Sequence, residues 1–426
     1  MKIFSLVDQI FMYQKLLRNE KFKPIELKKY QNKKIRALIK HSYENVPYYH
    51  SLLKKARIAP DDIRTIDDLR KIPISSKKNI RDATLKEIAA KNTDINSCIL
   101  YSTSGSSGIP IKIPWNNRAF KRYILTHIRW IMDCGNKITN RTVQIGFTFL
   151  PTNNPLQKMG LFKVKNIAAT GPIDKQIDEI MRFRPNTFFC PPSCARLIAI
   201  EKRELEIDEI KPSLIFTGGE IFDDYTRKLL HDAFEAEIYD HYGCNEAGGI
   251  AYECNEHEGY HIRSDLIVVE VTRDGEIVSE GEKGEIIVTN LHNYAGPIIR
   301  YNLEDIGFLV EEECSCGRSF PLMKLAEGRG SDIIQLPDGR IISTIVLHQL
   351  LVISGIKQYR VIQEKEDLFL VKIMKDSLFS DKTFEEIEKK LKGCLGDVKI
   401  DVETVDRIPI EKSGKFKSFI SKVSVK

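Results

Sequence analysis

The sequence predicts an α/β protein, with a large N-terminal domain of mixed sheets flanked by helices and a small α+β C-terminal domain. Its 426 residues exceed what one hydrophobic core usually supports, so two domains are expected. Between residues 142 and 238, short apolar runs alternate with amphipathic segments, a pattern typical of strand–helix–strand units. After about residue 329 a second, compact succession of strands and helices begins. The predicted domains are therefore residues 1–328 and 329–426.

The elements of the larger domain follow in chain order. Residues 1–95 are predicted to form a helical lead-in with polar breaks, one of which falls at Pro47. Residues 98–114 change to a strand, a Ser/Gly loop and a second strand. Residues 266–289 show strand patterns, and Asp274-Gly275 between two such runs indicates a hairpin turn.

The smaller domain is predicted from its own strand and helix patterns. It is expected to contain a helix around residues 345–353, strands near 359–363 and 368–374, and a helix over 384–395. Gly328 and Gly330 supply backbone freedom at the boundary. We therefore expect a hinge over residues 328–332 and a mobile C-terminal domain.

Composition and charge exclude several classes of protein. The net charge is +6 and the lysines are spread along the chain, so the charge does not indicate a nucleic-acid partner and none is expected. No apolar run reaches the roughly 18 residues that a membrane span needs. The N-terminal segment has no signal-peptide cleavage site; it is either a helix packed on the protein body or an amphipathic helix on a membrane surface. The nine cysteines form no disulfide framework, which favours the cytoplasm.

A loop rich in hydroxyl groups and glycine is the most prominent local motif. It has the sequence YSTSGSSGIP, starts at Tyr101 and lies between two predicted strands. Backbone N–H groups and hydroxyls in such a loop can surround a polyphosphate, and glycine allows a close approach. The loop is not a Walker A motif, because no Gly-Lys-Ser/Thr closes it. Taken alone, it could equally be an ordinary polar turn.

Three further motifs carry charged groups suited to a nucleotide. The segment DHYGCNE, which starts at Asp240, follows a strand predicted to end at Ile238, and its carboxylates suit Mg²⁺. Upstream, the TGGE segment ending at Glu220 closes another strand. Near the C-terminus, Lys415 in PIEKSGKF could place a charge at a phosphoryl anion. Its alternative is a solvated lysine-rich tail, and that alternative would be preferred if the motif stood alone.

Taken in order, these motifs resemble the adenylate-forming superfamily of acyl-CoA synthetases and adenylation domains. The resemblance is strongest to the phenylacetate–CoA ligase branch, near its capsular-polysaccharide-type side branch. It rests on YSTSGSSGIP, HYGCNE, IRYNLED, the Gly-Arg pair with Ser-Asp after it, and SGK. It implies a nucleotide-binding set consisting of Thr103, Ser104, Gly105, Ser106, Ser107, Gly108, Gly219, Glu220, Asp240, His241, Tyr242, Asp305 and Arg329. It also implies that Glu246 holds Mg²⁺ and that Lys415 is catalytic.

The implied reaction is activation of a carboxylic acid by ATP to an acyl adenylate, followed by transfer to the thiol of coenzyme A. An alternative is a stand-alone adenylating enzyme that acylates a carrier protein, or an amine or hydroxyl group in polysaccharide or natural-product biosynthesis. A third reading is a scaffold that binds nucleotide without turnover, against which Lys415 and Glu246 count. The hinge departs from the family pattern, because Ser331 replaces an acidic residue and only Asp332 remains. A homodimeric assembly is compatible with these features.

Three thiols and one imidazole suggest a structural metal site. Cys254 and His261 are followed, after the predicted hairpin, by Cys314 and Cys316. This donor set suits tetrahedral zinc with no open position for chemistry. Some relatives of the phenylacetate–CoA ligase branch have a similar arrangement, which favours His261 over the competing ligand His257. The alternative is four reduced residues that are near one another by accident.

Overall fold

The computed structural model describes residues 6–102, 111–146, 150, 155–327, 333–343, 347, 350–351, 353–410 and 416–423. The chain divides into two compact units. The first unit consists of residues 1–135 and 241–326, and the second unit of residues 136–240 and 327–426. The predicted boundary at 328/329 lies outside the described residues, so the division into residues 1–328 and 329–426 remains a prediction.

Among the described residues, helices and strands alternate from position 112 to position 244. The helices are α1 (Leu6–Asn19), α2 (Pro24–Asn45), α3 (Pro47–Lys55), α4 (Lys77–Asp82), α5 (Leu85–Ile88), α6 (Asn117–Asp133), α7 (Pro155–Lys158), α8 (Ile173–Phe183), α9 (Pro192–Glu204), α10 (Asp224–Phe234) and α11 (Asp381–Leu395). Short 3-10 helices cover Pro60–Asp62, Ile66–Lys71 and Ile95–Ser97. The strands are β1 (Ile99–Ser102), β2 (Lys112–Trp115), β3 (Arg141–Ile145), β4 (Lys163–Ile167), β5 (Thr187–Phe189), β6 (Leu214–Gly218), β7 (Glu237–Cys244), β8 (Gly248–Glu253), β9 (Tyr260–Ile262), β10 (Ile267–Arg273), β11 (Glu276–Ile277), β12 (Gly284–Asn290), β13 (Tyr301–Leu309), β14 (Leu322–Glu327), β15 (Ile333–Gln335), β16 (Ile341–Ser343), β17 (Ile356–Lys365), β18 (Leu368–Lys375), β19 (Lys399–Thr404) and β20 (Phe419–Ser421).

The first unit is built on an antiparallel sheet and the predicted helical lead-in. Its strands lie in the order β11-β10-β12-β13-β14-β9-β8-β7, and β1 and β2 form a separate hairpin. The predicted Asp-Gly turn joins β10 to β11, and both Asp274 and Gly275 have positive φ, as a tight hairpin turn of this kind requires. Helix α1 packs against α6 with Leu16 buried, so the lead-in helix lies on the protein body.

The second unit contains the predicted strand–helix repeats. Strands β4, β3, β5 and β6 are parallel neighbours, and helices α8, α9 and α10 lie between or after them in the chain. The residues of β6 are all buried, as expected for a strand covered on both faces. Side chains of these strands and helices, such as Val143, Phe188, Ile215 and Leu230, form one apolar core.

The C-terminal residues of the second unit form a smaller sheet with a core of its own. Its strands lie in the order β19-β18-β17-β20, and α11 packs on β19. The apolar core runs from Ile334 to Phe419 in sequence and includes buried Leu391 of α11. The predicted strands near 359–363 and 368–374 and the helix over 384–395 are confirmed, whereas most of the predicted helix around 345–353 lies outside the described residues. The predicted α/β class with a small α+β C-terminal part is confirmed.

No helix among the described residues is long and apolar enough to cross a membrane.

Candidate functional site

The predicted phosphate loop lies in the connection between β1 and β2. These strands pair in register from Ile99 opposite Trp115 to Ser102 opposite Lys112, which confirms the predicted strands on both sides of the loop. Residues 103–110 themselves lie outside the described part of the chain. The phosphate contacts of Thr103, Ser104, Gly105, Ser106, Ser107 and Gly108 therefore remain a prediction.

The DHYGCNE motif forms the end of β7 and the turn into β8. The sequence places the end of this strand at Ile238, and that prediction is wrong: the strand continues to Cys244 because residues 241–244 pair with β8. Across this hairpin the backbones approach closely. A Cβ atom on Gly243 would lie 2.7 Å from the carbonyl oxygen of Gly248, so only glycine fits without a backbone shift.

The turn after β7 buries the carboxylate of Glu246. This side chain is 4% exposed, and its Oε1 atom accepts a hydrogen bond of 2.9 Å from the hydroxyl of Tyr301, the first residue of β13. The side chain of Asn290 donates to the carbonyl oxygen of Ala247 at 2.8 Å and fixes the same turn. Oε2 of Glu246 has no hydrogen-bond partner among the described residues.

A second tyrosine–carboxylate pair joins β7 to β13. The hydroxyl of Tyr242 on β7 donates a hydrogen bond to the carboxylate of Asp305 on β13. The two side chains, which the motifs assign to the nucleotide, are therefore in contact. His241, the residue before Tyr242, is 6% exposed, and its ring packs against Trp130 at 5.3 Å and His127 at 5.4 Å between ring centroids.

The remaining described motif residues lie in the second unit. Asp240 is buried and accepts a hydrogen bond of 2.6 Å from the hydroxyl of Thr217, the residue before the glycine pair. Gly219 has a φ of 77°, which favours glycine at that position. Glu220 accepts hydrogen bonds from the backbone and hydroxyl of Ser193 and from the backbone of Phe416.

Four further predicted residues lie outside the described part of the chain. They are Arg329, Ser331, Asp332 and Lys415. Their roles as ribose ligand, hinge and catalytic lysine remain predictions. Tyr301, by contrast, is a contact of Glu246 that the sequence analysis missed, although it stands inside the IRYNLED motif that was singled out.

The predicted metal ligands do come together in the first unit. Strand β14 pairs with β9, with Leu322 opposite His261, and this pairing brings the segment before β14 beside β9. One donor atom from each of Cys254, His261, Cys314 and Cys316 then lies within 4.8 Å of the others. The Sγ atoms of Cys254 and Cys314 are 3.6 Å apart, and Sγ of Cys316 is 3.2 Å from Nε2 of His261.

The 3.6 Å distance between the two sulfurs matches the separation that tetrahedral zinc imposes, and the 3.2 Å distance from sulfur to nitrogen is a few tenths of an ångström shorter than that separation. Zn–S bonds of about 2.3 Å and Zn–N bonds of about 2.0–2.1 Å place the donor atoms roughly 3.5–3.8 Å apart. The Nδ1 atom of His261 lies 2.9 Å from the carbonyl oxygen of Phe320, and only a protonated nitrogen can bond to that oxygen. The lone pair of the neutral ring is then on Nε2, which faces Cys316. Burial lowers the pKa of His261, which favours this neutral form.

The competing ligand His257 is not part of the group. Its Nδ1 atom instead lies 3.4 Å from a carboxylate oxygen of Glu253. Next to the cluster, Glu258 accepts hydrogen bonds from the backbone and hydroxyl of Ser315, the residue between the last two cysteines. The donor set is therefore supported by a surrounding layer of bonds that holds the Cys-Ser-Cys segment in place.

Comparison with solved structures identifies the fold. The structure of a 2-hydroxyisobutyryl-CoA ligase in complex with an acyl-AMP superimposes with a TM-score of 0.78 at 18% identity, covering 95% of this chain and 91% of that chain. The chain therefore has the fold of an adenylate-forming CoA ligase, as its motifs predict.

Sequence comparisons identify relatives of this chain. The phenylacetate–CoA ligase of Thermus thermophilus is 28% identical over 361 residues, 80% of this chain and 79% of the relative. A fumarate–(S)-2,3-diaminopropanoate ligase of Enterobacter agglomerans is 23% identical over 67% of this chain and 72% of the relative. Residues 334–422 match the CapK C-terminal domain. The chain is thus a relative of phenylacetate–CoA ligases with a CapK-type C-terminal domain, and the predicted resemblance is confirmed.

Proposed function

We propose that this chain is an ATP-dependent, AMP-forming ligase that activates a carboxylic acid as an acyl adenylate and transfers the acyl group to coenzyme A. The observation that carries the proposal is the pair of tyrosine–carboxylate contacts that β13 makes with β7 and with the turn after β7. They hold Glu246 and Asp305, the two carboxylates that the motifs assign to the magnesium ion and the ribose. The relatedness to phenylacetate–CoA ligases over 80% of the chain supports the same chemistry.

In the proposed reaction, an oxygen of the substrate carboxylate attacks the α-phosphorus of ATP. The bond from that phosphorus to the bridging oxygen breaks, and pyrophosphate leaves with the electron pair. The thiolate of coenzyme A then attacks the acyl carbon, and AMP leaves. Because the bonds made and broken belong to the substrates, the protein acts by positioning and by electrostatic stabilisation.

The described residues fit a magnesium ion bound together with the nucleotide. Glu246 is buried, one of its oxygens is fixed by Tyr301, and the other has no partner among the described residues. A hard carboxylate oxygen is the ligand that Mg²⁺ prefers, and a bound ion would neutralise charge on the phosphate oxygens. Tyr301 fixes the direction in which the remaining oxygen of Glu246 points.

We also propose that Cys254, His261, Cys314 and Cys316 hold a structural zinc ion. The spacing of the four donor atoms, the tautomer fixed by Phe320 and the burial of three of the ligands support this assignment. With four protein ligands there is no open position for substrate, so the site would join β9 to the segment before β14 rather than take part in the reaction. None of the nine cysteines forms a disulfide, and we propose a cytoplasmic location on that ground.

A second acceptor class is favoured by one relative. A fumarate–diaminopropanoate ligase, by its name, joins a carboxylic acid to an amino acid, and it is 23% identical to this chain. An amine acceptor is therefore the second candidate for the transfer step. Activation of the acid would be the same in both cases.

The test of the proposed function is ATP–pyrophosphate exchange measured across a broad panel of carboxylic acids. Exchange with at least one acid is expected, and product analysis with coenzyme A or with an amine then identifies the acceptor. The matched variant is Lys415→Ala, which is expected to reduce exchange about a hundredfold or more, since it removes a charge that stabilises the transition state. Exchange that is unchanged in this variant across all active acids would contradict the proposal.

A further inference from the structure

Hydrogen bonds from two distant parts of the second unit converge on the carboxylate of Glu220. Its Oε2 atom accepts from the backbone N–H of Ser193 at 3.0 Å, and its Oε1 atom accepts from the hydroxyl of the same serine at 3.0 Å. Oε1 also accepts from the backbone N–H of Phe416 at 2.9 Å. Glu220 stands two residues beyond β6, whereas Phe416 stands in the C-terminal segment before β20. One carboxylate thus joins the end of β6 to the segment that carries the predicted catalytic lysine.

The hydrogen bonds from Ser193 allow the bond between Glu220 and Phe416 to break and form again without leaving the carboxylate unpaired. Ser193 is the second residue of α9, and its N–H is among the first N–H groups of a helix, which have no partner within the helix. A carboxylate at this end of a helix is also favoured by the helix dipole. Glu220 therefore keeps two hydrogen bonds when the N–H of Phe416 moves away, and no unpaired charge is left behind.

Arg360 binds the C-terminal segment at residues before and after positions 411–415. Its Nε atom donates to the carbonyl oxygen of Lys417 at 2.9 Å, and its Nη2 atom donates to the carbonyl oxygen of Pro409 at 2.8 Å. The guanidinium carbon also lies 5.2 Å from the ring centroid of Phe416. A single side chain on β17 thus joins the two chain segments that flank residues 411–415, and the flat, forked guanidinium is suited to two simultaneous bonds.

We propose that Glu220 and Arg360 are positioning residues that present Lys415 to the acyl-adenylation reaction. Lys415 directly precedes Phe416, so an anchor at the N–H of Phe416 acts one peptide bond away from the lysine. The inference rests on the proposed function, in which Lys415 stabilises the phosphoryl charge. Misplacing such a group by about 1 Å can reduce the rate roughly a hundredfold, so the anchors are expected to matter for turnover.

The two anchors differ in what they connect. The bonds of Arg360 stay within residues 360–417 of the C-terminal sheet, whereas the bond from Glu220 reaches that sheet from the end of β6. Of these two anchors, only the bond from Glu220 breaks if the C-terminal sheet turns away from β6 for the transfer step. Loss of Glu220 should therefore impair adenylation and spare acyl transfer, whereas loss of Arg360 should loosen the lysine segment in every arrangement.

Hydrogen exchange tests the anchors without any substrate. Peptic fragments that cover Phe416 are compared by mass spectrometry in the wild type, Glu220→Ala, Arg360→Met and Ser193→Ala. Loss of a hydrogen bond to a charged acceptor is expected to speed exchange at Phe416 about tenfold to hundredfold in Glu220→Ala. Arg360→Met should speed it as well. Ser193→Ala is the matched control, because it removes a bond to the same carboxylate but leaves the bond to Phe416. Wild-type exchange in Glu220→Ala, or equally fast exchange in Ser193→Ala, would overturn the proposal.

Kinetics separate positioning from nucleotide binding. With an acid that supports exchange, Glu220→Ala should reduce the kcat of ATP–pyrophosphate exchange about tenfold or more and change the KM for ATP little. Transfer from a synthetic acyl adenylate to the acceptor should proceed at nearly the wild-type rate. A raised KM with unchanged kcat would overturn the proposal and assign Glu220 to the nucleotide pocket. If no acid supports exchange in the wild type, the proposed function fails, while the hydrogen-exchange result still decides whether the anchors exist.

Discussion

Replacing Cys254 by serine is expected to abolish metal binding and to unfold the first unit at a lower temperature. Cys254 is 1% exposed and lies 3.6 Å, sulfur to sulfur, from Cys314. A serine hydroxyl is a weak ligand beside two thiolates and an imidazole, so the remaining donors would hold zinc far less tightly. The bonds that the ion makes between the segment around β9 and the segment before β14 would be lost with it.

The size of the effect follows from ligand linkage. An ion that binds only the folded protein stabilises it by about 4 kcal/mol when its free concentration is a thousand times the dissociation constant. For domains of about 150–250 residues, a size range that includes the first unit, each kcal/mol changes the Tm by about 2–4 °C. Removing the ion should therefore lower the Tm by about 8–16 °C.

Two measurements check this prediction. Elemental analysis of purified protein should give close to one zinc per chain for the wild type and almost none for Cys254→Ser, and a chelator should lower the Tm of the wild type alone. Cys134→Ala is the matched control, since Cys134 is also buried and near this region but its thiol lies 3.8 Å from the carbonyl oxygen of Glu253, outside the donor group. Zinc-free wild-type protein, or equal metal loss in both variants, would refute the assignment.

Three further predictions concern single side chains. Tyr301→Phe removes the hydroxyl that fixes Glu246, and because a hydrogen bond to a charged group contributes about 1.5–3 kcal/mol, adenylation should slow about tenfold or more, with a higher magnesium requirement in a metal titration of ATP–pyrophosphate exchange. Gly243→Ala places a methyl group 2.7 Å from a backbone oxygen, so denaturant unfolding should show a loss of about 1–3 kcal/mol, and an unchanged midpoint would contradict the tight hairpin. Burial, followed by nearby cations, lowers the pKa of Lys34 to about 8, so the charged form destabilises the folded protein below that pH. Lys34→Met should therefore stabilise the protein at pH 7, with a gain that shrinks as the pH rises through 8 toward the unfolded value of 10.5; urea unfolding at pH 7 and pH 10 measures it, with exposed Lys33→Met as the control.

Local signals in the sequence predict much of the fold. The Asp274-Gly275 turn, the strands around the Ser/Gly loop and the parallel strands of the second unit all follow from patterns of a few residues. Helix α10 is one of the amphipathic segments expected between residues 142 and 238. The misplaced end of β7 shows the limit of such signals. Its last residues are extended because β8 pairs with them, and a pairing partner is not visible in the strand's own composition.

Contacts between residues that are far apart in the sequence are not predicted by local patterns. Tyr301 and Glu246 are 55 positions apart in the sequence, and Arg360 and Lys417 are 57 positions apart. The spacing of neighbouring residues therefore does not predict either hydrogen bond. The metal cluster was predicted although its halves are equally far apart, because cysteine and histidine are uncommon and their chemistry limits the ways in which they combine. Tyrosines and arginines take part in many kinds of contact, so their presence in a sequence does not indicate a particular partner.

The most direct test of acyl-adenylate formation is an experiment that follows oxygen from the acid into the products. Once the acid panel has identified a substrate, that acid is supplied with ¹⁸O in its carboxylate together with ATP and the acceptor, and the products are analysed by mass spectrometry. Attack of the carboxylate on the α-phosphorus predicts one ¹⁸O atom in AMP and none in pyrophosphate. Label in inorganic phosphate, with ADP as the nucleotide product, would mean an acyl phosphate intermediate and would contradict the central claim.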